Sequence, residues 1–371
     1  MREKTLKLMI PGPIQPDQAV LQAMSRPVPP HYGTEFTNYY NDTLELLRKV
    51  FNTQGTIFLM VGTGSVALDS CIGSAFSSGE KVLVGTNGFF GERLKAIAIS
   101  NGLDVVSVSA EWGEPLCAAD FDRAFSKNPD AIGALVVHLE TSTAIANPVQ
   151  EIGPIVRRHG GVFVVDAVSS LGGLPFQMDD WCIDLCASAS QKCLGAPPGL
   201  APLAVGGRGW EFIDRNPQKN HGWYTDLRIW RQYATEWADW HPFPVTMATN
   251  NVMALHTSLE QLLEEGIPQR LEHYRQLALR LRSGLRRIGM LPFTPDNLMV
   301  PVLTAAYGPP GVPTSKIVDY MAEQRGIKIS GGLGSLKDKI FRVGHMSPVL
   351  QTEDIDQVIE ALEAFRSHAG N

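Results

Sequence analysis

Long apolar runs are missing from this 371-residue chain. No stretch approaches the ~18–20 consecutive apolar residues that a membrane-crossing helix needs, so a spanning protein is not expected. Excess positive charge is missing too. Lys and Arg number 32 against 38 Asp and Glu, a formal net charge of -6. No basic stretch is long enough to follow a phosphate backbone, and nucleic acid is not an expected partner. Cysteine is sparse: Cys71, Cys117, Cys182, Cys186 and Cys193. An odd count in a chain this large argues for reduced thiols. The first residues carry charges but no apolar segment before Pro11-Gly12-Pro13, so no secretory signal is read there. The residues His368 to Asn371 match no targeting or lipidation signal. Together these point to a cytoplasmic protein. Cys182 and Cys186 lack a second pair or a nearby His, so no zinc site is expected.

What is present fits a globular enzyme with many turns: 44% hydrophobic, 19% charged, Gly 35 and Pro 25. The length suggests two domains. From about residue 40, helix-like and strand-like segments alternate. Leu44, Leu47 and Val50 have helical spacing within Thr43–Phe51, and Thr56–Met60 is a short apolar run. A glycine turn, Gly62 to Ser65, leads into a helix over Val66–Phe76. Strands are expected at Lys81–Val84, Asp104–Val108, Ala134–His138 and Val162–Asp166. Helices are expected at Gly91–Ser100 and Glu151–Arg158. Such alternation implies crossover connections and a mainly parallel sheet with helices on both faces. Ligands in such sheets sit beyond the carboxyl ends of the strands, where the Gly62–Ser65 turn and Asp166 both fall.

Arg208 to Ala248 is less regular and holds five of the seven tryptophans, which reads as a packed or inter-subunit region. Two amphipathic helices follow, Asn251–Gly266 and Pro268–Gly289. The second carries six arginines, expected on a solvated face. Beyond Met290 the pattern restarts. A strand is expected near Leu298–Thr304, a helix over Ser315–Arg325, strands near Lys328 and Phe341, and a last helix over Glu353–Arg366. This reads as a small α+β domain.

Two residues point to chemistry. Asp166 ends the apolar strand Val162–Val165, and a carboxylate there needs a partner. A cationic ring N–H is a good one, because the hydrogen bond is charge-assisted. Lys192 lies in Ser188-Ala189-Ser190-Gln191-Lys192-Cys193-Leu194-Gly195, among small uncharged residues, with Pro197 and Pro198 just beyond. That setting favours an amine of lowered pKa. Pyridoxal phosphate asks for such a pair: an acid that keeps its ring nitrogen protonated, and a lysine that forms its imine and moves protons.

The chain also carries, in order, Pro11-Gly12-Pro13, Gly62-Thr63-Gly64-Ser65, Asn87-Gly88-Phe89-Phe90-Gly91, His138-Leu139-Glu140-Thr141-Ser142-Thr143, Val165-Asp166-Ala167-Val168-Ser169-Ser170, Ser190-Gln191-Lys192 and Phe341-Arg342-Val343-Gly344-His345. In this set and in the 26-position spacing from Asp166 to Lys192, it resembles the class V aminotransferases of the fold type I pyridoxal-phosphate enzymes. It resembles in particular the alanine–glyoxylate and serine–glyoxylate aminotransferase group. The resemblance implies an α/β fold in which a large domain with a mainly parallel seven-stranded sheet joins a small α+β C-terminal domain. It implies an N-terminal segment over residues 1–20 packing near the site, a large cofactor domain over 21–265 and a small domain over 266–371. It implies that Lys192 carries pyridoxal 5'-phosphate and that Asp166 holds the ring nitrogen. Thr63, Gly64, Ser65 and Gln191 would cradle the phosphate at a helix N-terminus. Phe90 would stack on the ring, Thr141 would contact its hydroxyl side, and Thr246 would reach a phosphate across a homodimer. Phe243 stands where relatives place a Tyr that gives a second hydroxyl. Arg342 would grip the substrate carboxylate, with Pro11 nearby.

The activity so implied is ping-pong transfer of an amino group from a small amino acid, such as serine or alanine, to a 2-oxo acid such as glyoxylate or pyruvate. Ile10, placed where some alanine-using relatives have Gly, leans toward serine. The Gly195–Gly199 loop and Arg342-Val343-Gly344-His345-Met346 also resemble pyridoxamine–pyruvate aminotransferase, the alternative. That enzyme is expected to have a Glu at the place of Thr63. A cysteine desulfurase or related lyase would need a nucleophilic Cys after Cys193, and there is none.

Overall fold

The apolar runs assemble into one sheet, described in a computed structural model that covers residues 6–216 and 222–369. Residues 1–5 of the N-terminal segment, 217–221 of the tryptophan-rich stretch, and 370–371 lie outside the described residues. The large sheet contains β1 (Thr56–Gly62), β2 (Lys81–Thr86), β3 (Asp104–Ser109), β4 (Ala131–Val137), β5 (Val162–Asp166), β6 (Leu185–Ala187) and β7 (Gly199–Val205). Its order is β1-β7-β6-β5-β4-β2-β3. Six strands run in parallel and β7 runs against both neighbours. Every residue of β5 is buried. Successive side chains of a strand face opposite ways, so both faces of the sheet are covered at that point.

Some elements depart from the sequence expectation for identifiable reasons. Strand β7 carries Pro202 at its middle, a residue that argues against a central strand. Here Pro202 only has to accept, and its carbonyl takes the Ser188 N–H at 2.8 Å. The helix expected from Thr43 begins at Thr34. Its first turns carry Phe36, Tyr39 and Tyr40 among polar residues, with Phe36 and Tyr40 one turn apart and both buried, so tertiary burial extends it. The strand expected near Leu298 is displaced to Leu303–Tyr307, and Asp296–Leu298 form a 3-10 turn instead. The break between the two long helices falls at Gly266, which ends Thr249–Glu265 with φ at +91° and starts Ile267–Arg287.

The expected solvated arginine face is corrected at two positions. Arg282 is buried, paired with Asp296 at 2.7 Å and donating to the Thr294 carbonyl at 2.6 Å. Arg270 is buried beside Glu265. The tryptophans divide as well. Trp230 is fully buried and donates to the Tyr224 carbonyl at 2.7 Å. Trp223, Trp237 and Trp240 are 52%, 40% and 49% exposed in the single chain.

One buried cluster runs from Val20 to Leu262 around the large sheet. A second joins Met9 to residues between Leu277 and Phe365, around β8 (Leu303–Tyr307), β9 (Ser330–Gly331) and β10 (Ile340–Gly344) in the order β8-β10-β9. Met9 is there because the N-terminal segment crosses this layer: Lys7–Leu8 pairs parallel with Ile327–Lys328, and the Gly344 N–H donates to the Met9 carbonyl at 2.8 Å. A Cβ on Gly344 would collide with the Ile10 carbonyl oxygen. Gly344→Ala is therefore expected to destabilise the protein by about 1–3 kcal/mol, the usual cost of overpacking, read as a lower midpoint of thermal unfolding.

Candidate active site

The carboxyl ends of β1, β4, β5 and β6 deliver Thr63, His138 to Ser142, Asp166, and Ser188 to Lys192 to one edge of the sheet. Of the expected residues, Thr63, Gly64, Ser65, Phe90, Asp166, Gln191 and Lys192 line a single cavity of about 350 Å3. That is the size range of small-molecule and cofactor sites. Thr63 caps the helix Gly64–Ala75 in extended conformation, and its side chain makes no capping hydrogen bond. A Cβ on Gly64 would collide with Val168, so glycine lets the helix start approach the Asp166 turn.

Pro11, Thr141 and Arg342 adjoin this cavity without lining it. The Lys192 Nζ donates to the Pro11 carbonyl. Gly12 has φ at +88°, and a Cβ there would lie 2.7 Å from Lys192 Nζ. Arg342 is buried and spans the two layers, donating from Nε to the Gly331 carbonyl at 2.9 Å and from Nη1 to the Thr141 carbonyl at 3.0 Å. Thr246 is exposed and outside the cavity of its own chain. Phe243 is fully buried against Tyr40, ring centroids 4.9 Å apart, and offers no hydroxyl.

The charges here are unusual. Burial lowers the Lys192 amine to about 8, assisted by the fields of Arg342 and Arg93 and opposed by Cys193 and Asp166. Burial raises the Asp166 carboxyl to about 6. Its hydrogen bond from the Val168 N–H, at 2.8 Å, and the charges of Lys192 and Arg93 pull it down, while Glu140 pushes it up. Burial lowers Arg342 to about 10, opposed by Glu140. No ion pair reaches Lys192, Asp166 or Arg342 among the described residues. The buried Gln191 Oε1 has no hydrogen-bond partner.

These demands fit pyridoxal phosphate. A ring N–H could meet Asp166, an aldehyde carbon could meet Lys192, and a phosphate could meet the helix start with Gln191 beside it. Three residues that sequence reading assigned no role also belong here. Glu140 and Ser142 fasten the start of the helix Phe89–Ser100. Arg93 lines the cavity, with its guanidinium carbon 4.8 Å from the Phe90 ring centroid. Glu140 could not be assigned this part from the sequence, because the amides it takes lie 49 and 50 residues away.

Fold and site define a fold type I aminotransferase. The chain belongs to the aminotransferase class-V family, whose model matches residues 21–358. It is 38% identical to an uncharacterized aminotransferase of Methanocaldococcus jannaschii over 91% of this chain and 87% of that one. The crystal structure of ureidoglycine–glyoxylate aminotransferase from Bacillus subtilis superposes with a TM-score of 0.94 at 31% identity, covering 99% of this chain and 94% of that one. That of alanine–glyoxylate aminotransferase from Nostoc gives a TM-score of 0.93 at 32% identity, covering 97% and 95%.

Asp166 yields a signed prediction. Its folded pKa, about 6, lies above its ordinary 3.8. The group's contribution to stability is therefore complete below about pH 4 and is lost as pH rises through about 6. Asp166→Asn keeps an oxygen for the Val168 N–H and removes the buried charge. It is expected to stabilise the cofactor-free protein by about 1–3 kcal/mol at pH 8 and to leave it little changed at pH 4, read by denaturant titration.

Proposed function

We propose that this aminotransferase uses pyridoxal 5'-phosphate to move an amino group from a small amino acid, such as serine or alanine, to a 2-oxo acid of the glyoxylate or pyruvate type, in two half-reactions. Arg342 carries the reading. It is a buried guanidinium with no ion-paired carboxylate among the described residues, close enough to Lys192 to depress its amine. A substrate α-carboxylate supplies the missing charge in the bidentate geometry that guanidinium prefers.

Bound in the cavity, pyridoxal phosphate supplies an aldehyde that takes up amines and a ring that draws electrons while its nitrogen stays protonated. Asp166 holds that nitrogen, and the neighbouring charge gives the carboxyl reason to ionise. Thr63, Gly64, Ser65 and Gln191 would hold the phosphate, Phe90 would offer its flat face to the ring, and Thr141 would serve its hydroxyl side. Lys192 holds the cofactor at rest. Its Nζ would be the base that takes the proton from the substrate α-carbon and holds it for return. An amine lowered to about 8 suits that task, since a useful share is neutral at physiological pH. Arg342 fixes the carboxylate so that the α-proton faces Lys192. The second half-reaction uses the same groups in reverse order.

The Bacillus and Nostoc relatives are glyoxylate aminotransferases, which supports glyoxylate as an acceptor. Exposed Thr246 and the exposed Tyr32, Trp223, Trp237 and Trp240 support a homodimer in which Thr246 completes the partner's phosphate site.

Arg342→Lys keeps the charge and loses the fork. It is expected to raise KM for amino donor and oxo acceptor alike by about 10–100-fold, while the visible absorption of the resting cofactor is kept. Unchanged KM values for both substrates would remove Arg342 from the carboxylate site. A panel of amino acids in single half-reactions, followed by loss of that absorption, is expected to rank serine and alanine first.

A further inference from the structure

Glu140 is the most completely engaged carboxylate near the cavity. It is fully buried at the end of the two-residue strand Leu139–Glu140, which pairs antiparallel with Ile145–Ala146. Its Oε2 accepts from the Phe90 and Gly91 N–H groups, each at 2.9 Å. Its Oε1 accepts from the Ser142 N–H at 3.0 Å and the Ser142 hydroxyl at 2.6 Å. The Ser142 Oγ in turn accepts from the Phe89 N–H at 2.9 Å. The first three N–H groups of the helix Phe89–Ser100 thus end on one turn. The helix's own cap, Gly88, offers no side chain, and a Cβ there would collide with the Glu140 side chain. No cation forms an ion pair with Glu140 among the described residues, so its charge faces the positive end of that helix. The same turn presents the Thr141 carbonyl to Arg342.

We infer that Glu140 is a positioning residue for the reaction: by taking the Phe90 and Gly91 amides it sets the Phe90 ring at the height and tilt that the cofactor ring requires. The inference rests on the pyridoxal-phosphate reading above. It explains why a carboxylate is kept fully buried where a neutral residue would cost less to bury. A helix start fixed only by Gly88 would fray, and the ring on its second residue would move with it. Because Thr141 follows directly, the ring and the Arg342 guanidinium are referred to one rigid turn.

The test uses the cofactor-free full chain and pyridoxamine 5'-phosphate, which lacks the aldehyde and so isolates non-covalent binding from Lys192 chemistry. Binding is followed by quenching of tryptophan fluorescence, well below the unfolding temperature. Glu140→Ala is expected to weaken binding about 10–50-fold. Phe90→Ala is expected to weaken it similarly. The double variant is expected to lie within about threefold of Phe90→Ala alone, since both act through one ring. Glu140→Gln, which retains an oxygen for the two amides, is expected to stay within about threefold of the parent. Additive losses in the double variant, or an Ala variant that binds like the parent, would overturn the inference while leaving the cofactor reading intact. If Glu140→Ala does not fold, Glu140→Asp takes its place, because its shortened arm withdraws from the amides. Failure of the unmodified protein to bind either pyridoxamine phosphate or pyridoxal phosphate would overturn both readings together.

Discussion

Asp166 and Arg342 are buried, Lys192 is partly so, and none of the three has an ion-pair partner among the described residues. Much of the local architecture follows from that constraint. Isolated charges in a low-dielectric setting shift toward neutrality, and all three do: the acid upward, the amine and the guanidinium downward. The cost is tolerated because the chain supplies partial partners: the Val168 N–H for Asp166, the Pro11 carbonyl for Lys192, and two carbonyls for Arg342. On the proposed reading the full partners arrive with cofactor and substrate, and binding relieves what folding leaves unsatisfied.

The geometry behind this is a crossing of chain segments. The N-terminal segment pairs with the small layer at Lys7–Leu8, passes Gly344, and lays Pro11 and Gly12 over Lys192. Two glycines make that route possible, Gly12 through a positive φ and Gly344 through a close approach. Arg342 lies two residues from Gly344 on the same strand, so the segment that covers the lysine and the strand that carries the guanidinium are built as one unit.

Much of this was legible in the sequence because it rests on strong local signals. Strand β4 and the first four residues of β5 are uninterrupted apolar runs, β2 has the apolar centre Val82–Val84, and Asp166 stands where the β5 run meets its first charge. The cavity residues Thr63, Gly64, Ser65, Phe90, Gln191 and Lys192 come together because they follow strand ends or open helices, which sequence order alone locates. The rest depends on contacts distant in sequence. Strand β7 was hidden by Pro202, whose missing N–H is harmless only in its actual register. The buried state of Arg282 required Asp296 and Thr294, which helical periodicity does not reveal. Glu140 was seen as part of a motif, but its role appeared only when the start of the helix Phe89–Ser100 was placed against it, about 50 residues back in the chain.

The central claim, that Lys192 is the attachment point of pyridoxal phosphate, is tested most directly by chemical trapping. The protein is loaded with pyridoxal phosphate, reduced with borohydride, digested and mapped by mass spectrometry. The account predicts a reduced pyridoxyl-phosphate adduct on the peptide carrying Lys192 and on no other. An adduct on a different lysine, or none after loading and reduction, would contradict it.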